Sequence, residues 1–178
     1  MGARATAVRR GLVVAAAAAA VLAMEVSGWL ATPAAERPEA TWTTLHAVVP
    51  LVFIACAAVA WRIGPEPLPA RIMIAVAVLW IPQTFYRVIE DAGWLWPLVR
   101  GVDLVWAVLT GILVMVYPRG RLENRTDRVI AAVAAVATLV NFAAVLLLAG
   151  SADAACDCAA NPYRVADAPA LFAAIDVG

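Results

Sequence analysis

The first apolar stretch of the chain, residues 11–31, has the sequence GLVVAAAAAAVLAMEVSGWLA, in which Glu25 is the only charged residue. A helix of about 20 such residues crosses the roughly 30 Å hydrocarbon core of a bilayer. Because lipid offers the backbone no hydrogen-bond partners, a spanning segment of this composition has to be helical. The stretch therefore predicts a transmembrane helix, and it sets the class of the whole protein.

The composition of the full chain agrees with a membrane protein. Of its 178 residues, 65% are hydrophobic and 15% are charged, whereas soluble domains contain about 45–50% apolar residues. Thirteen basic residues balance thirteen acidic ones, so the formal net charge is zero. A chain without a basic field is not expected to bind nucleic acid.

Four further apolar runs follow the first, separated by short breaks rich in proline, glycine or charge. The predicted spans are residues 11–31, about 43–61, about 71–90, about 95–117 and 128–149. The expected fold is an all-α polytopic transmembrane bundle, because no alternating pattern typical of a barrel competes with these runs. It divides into an N-terminus (1–10), a five-span membrane domain (11–149) and a final segment (150–178).

The last residues, 168–178, turn apolar again but are too short to cross a bilayer. One interpretation is that they begin a sixth helix, with the chain a piece of a longer protein. The other is that they lie along the outer interface as an amphipathic end. The first interpretation is preferred here.

The arginines of the short loops predict the orientation of the bundle. With the N-terminus in the cytoplasm, nine arginines lie inside and four lie outside, as the positive-inside rule requires. The apolar run after Arg10 resembles a signal peptide, but it resumes after Glu25 and no convincing cleavage site follows. We therefore expect a multi-pass protein of the cell membrane with a cytoplasmic N-terminus. The tryptophans expected at the outer interface are Trp29, Trp42, Trp94 and Trp96.

Ionisable residues inside the spans gather toward the predicted outer side. An acid or arginine at the centre of a spanning helix costs about 2.5–3.5 kcal/mol on insertion scales, so each needs a partner or a function. Helical spacing places a polar stripe along the third span, and it places Arg100 and Asp103 three residues apart, at salt-bridge spacing, in the fourth. The candidate ligand-sensing cluster is Glu25, His46, Arg87, Glu90, Asp91, Arg100 and Asp103.

Two interpretations of this cluster are open. In the functional one it lines an outward-opening pocket that binds a small ligand or senses protons, since histidine and buried carboxylates titrate near environmental pH. In the structural one, which is the more common outcome, acids and arginines pair across the bundle and only fix its packing. His46 is the only histidine, and metal and haem sites generally need several ligands. No metal, cofactor or catalytic residue is predicted.

The three cysteines fall into two groups. Cys56 has apolar neighbours in the second span, which predicts a buried thiol. Cys156 and Cys158 lie in the predicted outer segment, where disulfides are permitted. They either bond to each other or each bond a thiol of another chain, and a structural staple is preferred over a redox switch.

Two short motifs carry a family resemblance that covers about residues 110–178. The stretch VYPRGRL at 116–122, followed by Asp127 and Arg128, resembles the "FPDGRL…DR" stretch in the membrane domains of actinobacterial sensor histidine kinases. The stretch CDCAANP at 156–162 resembles the "C…NP…V.D" segment that precedes the last helix of those domains. Arg119 departs from the pattern, because the family often has an acid there.

The resemblance implies a signal-input domain of a two-component system. Such a domain relays an extracytoplasmic or in-membrane stimulus to a cytoplasmic kinase, which is not present in this chain. ATP and Mg would belong to that kinase part, and the implied partners are the lipid bilayer, a second copy in a homodimer and a response regulator. His46 does not match the phosphoacceptor of the family, which is a cytoplasmic histidine followed by an acid, because Ala47 follows it within a span.

Two other functions compete with the sensor. A small stand-alone transporter or channel subunit would use the charged stripe as a path, and it is the main alternative. A membrane enzyme that exchanges disulfides through Cys156 and Cys158 is disfavoured, because such enzymes usually use a C-x-x-C motif.

Overall fold

The structure is a computed structural model, and it describes residues 2–34, 37, 39–63, 68–82, 89, 91–117, 119–150 and 158–175. Over these residues the chain is entirely helical apart from turns and loops, which confirms the predicted all-α class. The six helices are α1 (Gly2–Ala31), α2 (Ala40–Ile63), α3 (Leu68–Trp80), α4 (Trp96–Val116), α5 (Arg125–Leu148) and α6 (Pro169–Ile175).

Four of these helices, α1, α2, α4 and α5, are long and apolar enough to cross a membrane. Their outward surfaces carry large apolar side chains such as Leu12, Val114 and Leu139, which are 65%, 72% and 67% exposed. Apolar surface of this extent is costly in water but suits contact with lipid. The chain therefore has the character of a membrane protein, as its composition predicted.

The third predicted span, residues 71–90, is only partly described. Helix α3 has 13 residues, which at 1.5 Å per residue is about 20 Å and less than the thickness of the hydrocarbon core. Ile81 and Pro82 continue it as a tighter turn, and of the remaining residues of the span only Ile89 is described. Four long helices are thus shown among the described residues, and the five-span count is not confirmed.

Helices that follow one another in the chain pack side by side, so α3 lies between α2 and α4, and α5 packs on α4. One buried cluster joins α1, α2 and α3 through Val21, Ile54 and Ala77. A second joins α3 to α4 through Val76 and Leu113. The short helix α3 therefore contributes to two apolar contacts and connects the two halves of the bundle.

Residues 158–175 fold back over the ends of α4 and α5. Phe172 of α6 is buried in a cluster that includes Trp96 and Val145. The side-chain amide of Asn161 donates hydrogen bonds to the carbonyl oxygens of Leu146 (3.0 Å) and Ala149 (2.9 Å). The last carbonyls of a helix have no donors within the helix, so Asn161 supplies donors at the C-terminal end of α5.

The apolar end at residues 168–178 contains the short helix α6, which packs against α5, and a sixth spanning helix stays a prediction. The same fold-back covers Trp96, which is 3% exposed, and its position at the outer membrane interface stays a prediction. Its indole N–H donates to the carbonyl oxygen of Ala159 at 2.7 Å. Trp96 does lie at the expected end of α4, but residues distant in sequence cover it.

Cys56 was predicted to be a buried thiol, and that prediction is wrong. The structure places it as an exposed free cysteine on α2. Its apolar sequence neighbours suit contact with lipid as well as burial in a protein core, so the pattern of apolar residues does not separate the two environments.

The loop between α4 and α5 contains the first motif of the family resemblance. Gly120 adopts a positive φ of 75°, a conformation that favours glycine. Asn124 caps α5, because its side-chain oxygen accepts the backbone N–H of Asp127 at 2.6 Å. The Arg119 guanidinium pairs with the Glu123 carboxylate at 2.9 Å on the exposed surface. The loop is therefore a compact turn that ends in a well-capped helix.

Asn161→Ala removes both amide donors at the end of α5. We expect the free energy of unfolding to fall by about 1–3 kcal/mol, because buried carbonyl groups lose their partners. Denaturant or thermal unfolding in detergent micelles measures it. The matched control is Val165→Ala in the same segment, whose side chain is 74% exposed and whose loss should change stability by less than about 0.5 kcal/mol. Equal stability of the two variants would contradict the capping role.

Candidate functional site

Two residues of the predicted cluster, Glu25 of α1 and His46 of α2, meet inside the bundle. His46 Nδ1 lies 2.9 Å from Glu25 Oε1, which is hydrogen-bond distance. The two residues are 5% and 9% exposed. The structure therefore forms a buried acid–base pair between two of the long helices.

The helix bounds explain why these two residues lie at the same depth. Glu25 is six positions before the last residue of α1, and His46 is six positions after the first residue of α2. At a rise of 1.5 Å per residue, each is about 9 Å from the end of its helix. Because a short connection joins those two ends, the antiparallel pairing of α1 and α2 brings the carboxylate to the imidazole.

Two tryptophans extend the contact across the next two helices. The centroid of the His46 ring is 5.4 Å from the centroid of the Trp80 ring, at the end of α3. Trp80 in turn meets Trp106 of α4 edge to face, with ring centroids 4.6 Å apart, an arrangement that aromatic pairs favour. Glu25, His46, Trp80 and Trp106 therefore form a continuous chain of contacts through α1, α2, α3 and α4, which we call the inter-helix relay.

Sequence patterns alone only weakly indicate a role for these tryptophans. Trp106 follows Asp103 by three residues, which places the two on one side of a helix, but Trp80 lies within an apolar run and shows no polar periodicity. The Trp80 indole nitrogen is buried, and within the described part of the chain it has no hydrogen-bond partner. Its position against His46 depends on the packing of α3, which a single sequence does not specify.

The chemistry of the pair follows from its burial. A buried polar group is costly unless it is hydrogen-bonded, and a buried charge is costlier still unless it is paired. His46 Nδ1 and Glu25 Oε1 satisfy each other across the α1–α2 contact, so one buried hydrogen bond is shared by two helices. Removing either side chain therefore removes a hydrogen bond between those helices.

The other residues of the predicted cluster are placed differently. Asp91 is exposed in the turn before α4, and Arg100 and Asp103 are half-buried on α4. Arg100 and Asp103 each take part in an interaction, although a salt bridge between the two stays a prediction. Arg87 and Glu90 fall outside the described residues. The outward-opening pocket likewise stays a prediction, while the meeting of Glu25 with His46 is a finding.

Arg37 contacts the end of α1 near the pair. Its Nε donates to the carbonyl oxygen of Thr32 at 3.1 Å, and its guanidinium lies 4.1 Å from the centroid of the Trp29 ring. Both contacts are favourable for a cation at a helix C-terminus beside an aromatic face. They help to fix the end of the helix that carries Glu25.

The predicted disulfide is partly placed. Cys158 is disulfide-bonded, Cys56 is a free thiol, and Cys156 lies outside the described residues, so its pairing stays a prediction. Among the described residues, no three histidine, cysteine or acidic side chains come together in a group that could hold a metal ion.

Comparison with known proteins adds nothing to this geometry, because no family model, curated protein or solved structure matches the chain.

The Glu25–His46 contact is measurable as an energetic coupling. We expect Glu25→Gln and His46→Gln each to lower the free energy of unfolding by about 1–3 kcal/mol, because each leaves a buried polar group poorly satisfied. The loss in the double variant should be smaller than the sum of the two single losses by about 0.5–3 kcal/mol. Unfolding in detergent micelles provides the numbers.

The control for this cycle is Glu39→Gln, which changes an exposed carboxylate next to α2. It should lower stability by less than about 0.5 kcal/mol. Additive losses in the Glu25 and His46 cycle would show that the two side chains do not interact in solution.

Proposed function

We propose that this chain is the membrane-embedded signal-input domain of a sensor histidine kinase. It would relay an extracytoplasmic or in-membrane stimulus to a cytoplasmic kinase part outside this chain. The observation that carries the proposal is the inter-helix relay. It connects the buried acid–base pair of α1 and α2 to α3 and α4. The motifs at residues 116–122 and 156–162 support the same family by resemblance.

The relay suits a signalling role because it has two kinds of contact. The Glu25–His46 hydrogen bond can be changed by a proton or a ligand, and the Trp80 and Trp106 contacts pass a displacement on through packing. A stimulus that changes the protonation or partner of the Glu25–His46 pair changes the contact between α1 and α2. His46 also touches Trp80, so a displacement of the imidazole acts on α3 and, through Trp106, on α4. Packed helices respond to such biases by shifting between discrete arrangements rather than by deforming continuously.

In this proposal, the change in helix packing would pass to the kinase part through α4, α5 and the segment that follows α5. Helix α5 packs on α4, and Asn161 and Phe172 attach the following segment to the end of α5. In the proposed topology the chain then returns through a final span to the kinase part. That part would bind ATP and Mg and phosphorylate a response regulator, and the input domain would work as a homodimer in the cell membrane with its N-terminus in the cytoplasm.

Kinase output tests the proposal directly. The full-length protein, including the kinase part, is reconstituted in liposomes, and its autophosphorylation is measured with labelled ATP. We expect Glu25→Gln and His46→Gln to change the autophosphorylation rate several-fold relative to the wild type, because both release the first contact of the relay. Glu39→Gln should leave the rate unchanged. Wild-type rates in both relay variants would contradict the proposed mechanism.

The main alternative, a stand-alone transporter or channel subunit, predicts a different outcome. A coding frame that continues after Gly178 into a further span and a kinase supports the sensor. A frame that stops there, together with solute flux in liposomes that contain only this chain, would overturn the proposal.

A further inference from the structure

The end of the bundle opposite the Glu25–His46 pair contains a groove between α1, α2 and α3. Its volume is about 370 Å³, and its walls include Arg9, Arg10, Val13, Trp61, Arg71 and Ile74. An adjoining cavity of about 540 Å³ shares Arg10 and Trp61 and continues along α1. Arg10 is 15 positions before Glu25 in the same helix, so the two sites are about 22 Å apart along the helix axis.

Four arginines from three helices converge on this groove and its extension: Arg9 and Arg10 from α1, Arg62 from α2 and Arg71 from α3. Over the described residues, no carboxylate forms a salt bridge with any of them. In the sequence, Glu66 is the only acid between Glu39 and Glu90, and it lies outside the described residues. Like charges brought together in this way repel one another, and a bound anion would relieve the repulsion.

The groove already holds one arginine in place. Arg10 Nη1 donates to the carbonyl oxygen of Trp61 at 3.1 Å, a contact between α1 and α2. A guanidinium presents several N–H donors in a fixed plane, which matches the oxygens of a phosphate group. With Arg10 oriented by Trp61, part of the entropy cost of forming such a contact is already met.

The remaining wall of the extension is apolar. It consists of small or apolar residues, and those that lead from Arg10 toward the middle of the bundle include Val14, Ala15, Ala18 and Ala58. A free phosphate ion gains no favourable contact from an apolar wall, whereas the acyl chains of a lipid pack along an apolar helix surface. The arginine end is also the end predicted to face the cytoplasm, where basic pockets between spanning helices bind anionic headgroups.

We propose that this groove binds the phosphate group of an anionic phospholipid, with the guanidinium groups on the headgroup and the acyl chains along the apolar wall of α1. The site is independent of the relay and of the sensor function. It gives the chain a lipid requirement at the end that faces away from the acid–base pair.

Lipid titration tests the proposal. The purified, delipidated chain in a neutral detergent is titrated with phosphatidylglycerol, with phosphatidylcholine and with inorganic phosphate, and bound ligand is counted by native mass spectrometry. We expect saturable binding of phosphatidylglycerol that is at least about tenfold tighter than binding of the other two ligands. Equal binding of the two lipids would overturn the proposal, as would binding of inorganic phosphate as tight as that of phosphatidylglycerol, which would identify a soluble anion as the occupant.

Variants then separate the site from general basicity. Arg9→Gln and Arg71→Gln should each weaken phosphatidylglycerol binding by about tenfold, and Arg9→Lys should retain more of the affinity because it keeps the charge. The matched control is Arg125→Gln, an exposed arginine at the start of α5, on the same predicted side of the membrane. It should bind like the wild type.

Arg10→Gln is informative only if the unfolding midpoint without lipid is unchanged, because Arg10 also bonds Trp61. For that reason Arg9 and Arg71, which lack such bonds within the described residues, decide the test. An equal loss of affinity in Arg125→Gln, or no loss in Arg9→Gln and Arg71→Gln, would overturn the proposal.

Discussion

The hydrogen bond between Glu25 and His46 is the constraint on which the account depends. In a helix bundle surrounded by lipid, a polar side chain has few places to find a partner, and an unsatisfied one is costly. His46 Nδ1 and the Glu25 carboxylate can bond only if α1 and α2 keep the register that places both residues about 9 Å from their connected ends. A sliding of one helix by a single turn would separate them, so the pair specifies the alignment of the first two helices as well as linking them.

The arrangement of the bundle separates three kinds of chemistry along its length. The acid–base pair lies near the connected ends of α1 and α2, with Trp80 and Trp106 beside it. Apolar clusters that include Val21 and Val76 fill the spaces between the helices. Arginines without carboxylate partners among the described residues gather at the other end. We propose that the first end responds to a stimulus and that the second binds an anionic phospholipid.

The sequence predicted the four long helices because the length of an apolar run is a direct physical requirement for crossing a bilayer. It placed α4 and α5 within a few residues, and it picked out Glu25 and His46 because charged and titratable groups are conspicuous in such runs. It did not show that these two residues meet, since contact depends on how each helix is rotated about its axis. The same limit explains Cys56, because apolar neighbours do not distinguish lipid from protein interior.

Other features lay beyond sequence reasoning because they depend on residues distant in the chain. Trp96 is of a residue type that is common at membrane interfaces, yet in the structure Ala159 and Phe172 cover it. The role of Asn161 becomes visible only when its amide is seen against the last carbonyls of α5. The sequence does not single out Trp80, because an aromatic residue within an apolar run is common. Its role becomes visible only from its contact with His46.

The most direct measurement of the central interaction uses the fact that His46 is the only histidine. Labelling with ¹⁵N-histidine gives a single imidazole in the NMR spectrum of the chain in lipid bilayers. We predict that the Nδ1 resonance shows a hydrogen bond to a carboxylate, shifts when Glu25 is replaced by Gln, and is shielded from a water-soluble paramagnetic agent. An imidazole signal that is the same with and without the Glu25 carboxylate, and that the agent broadens, would contradict the account.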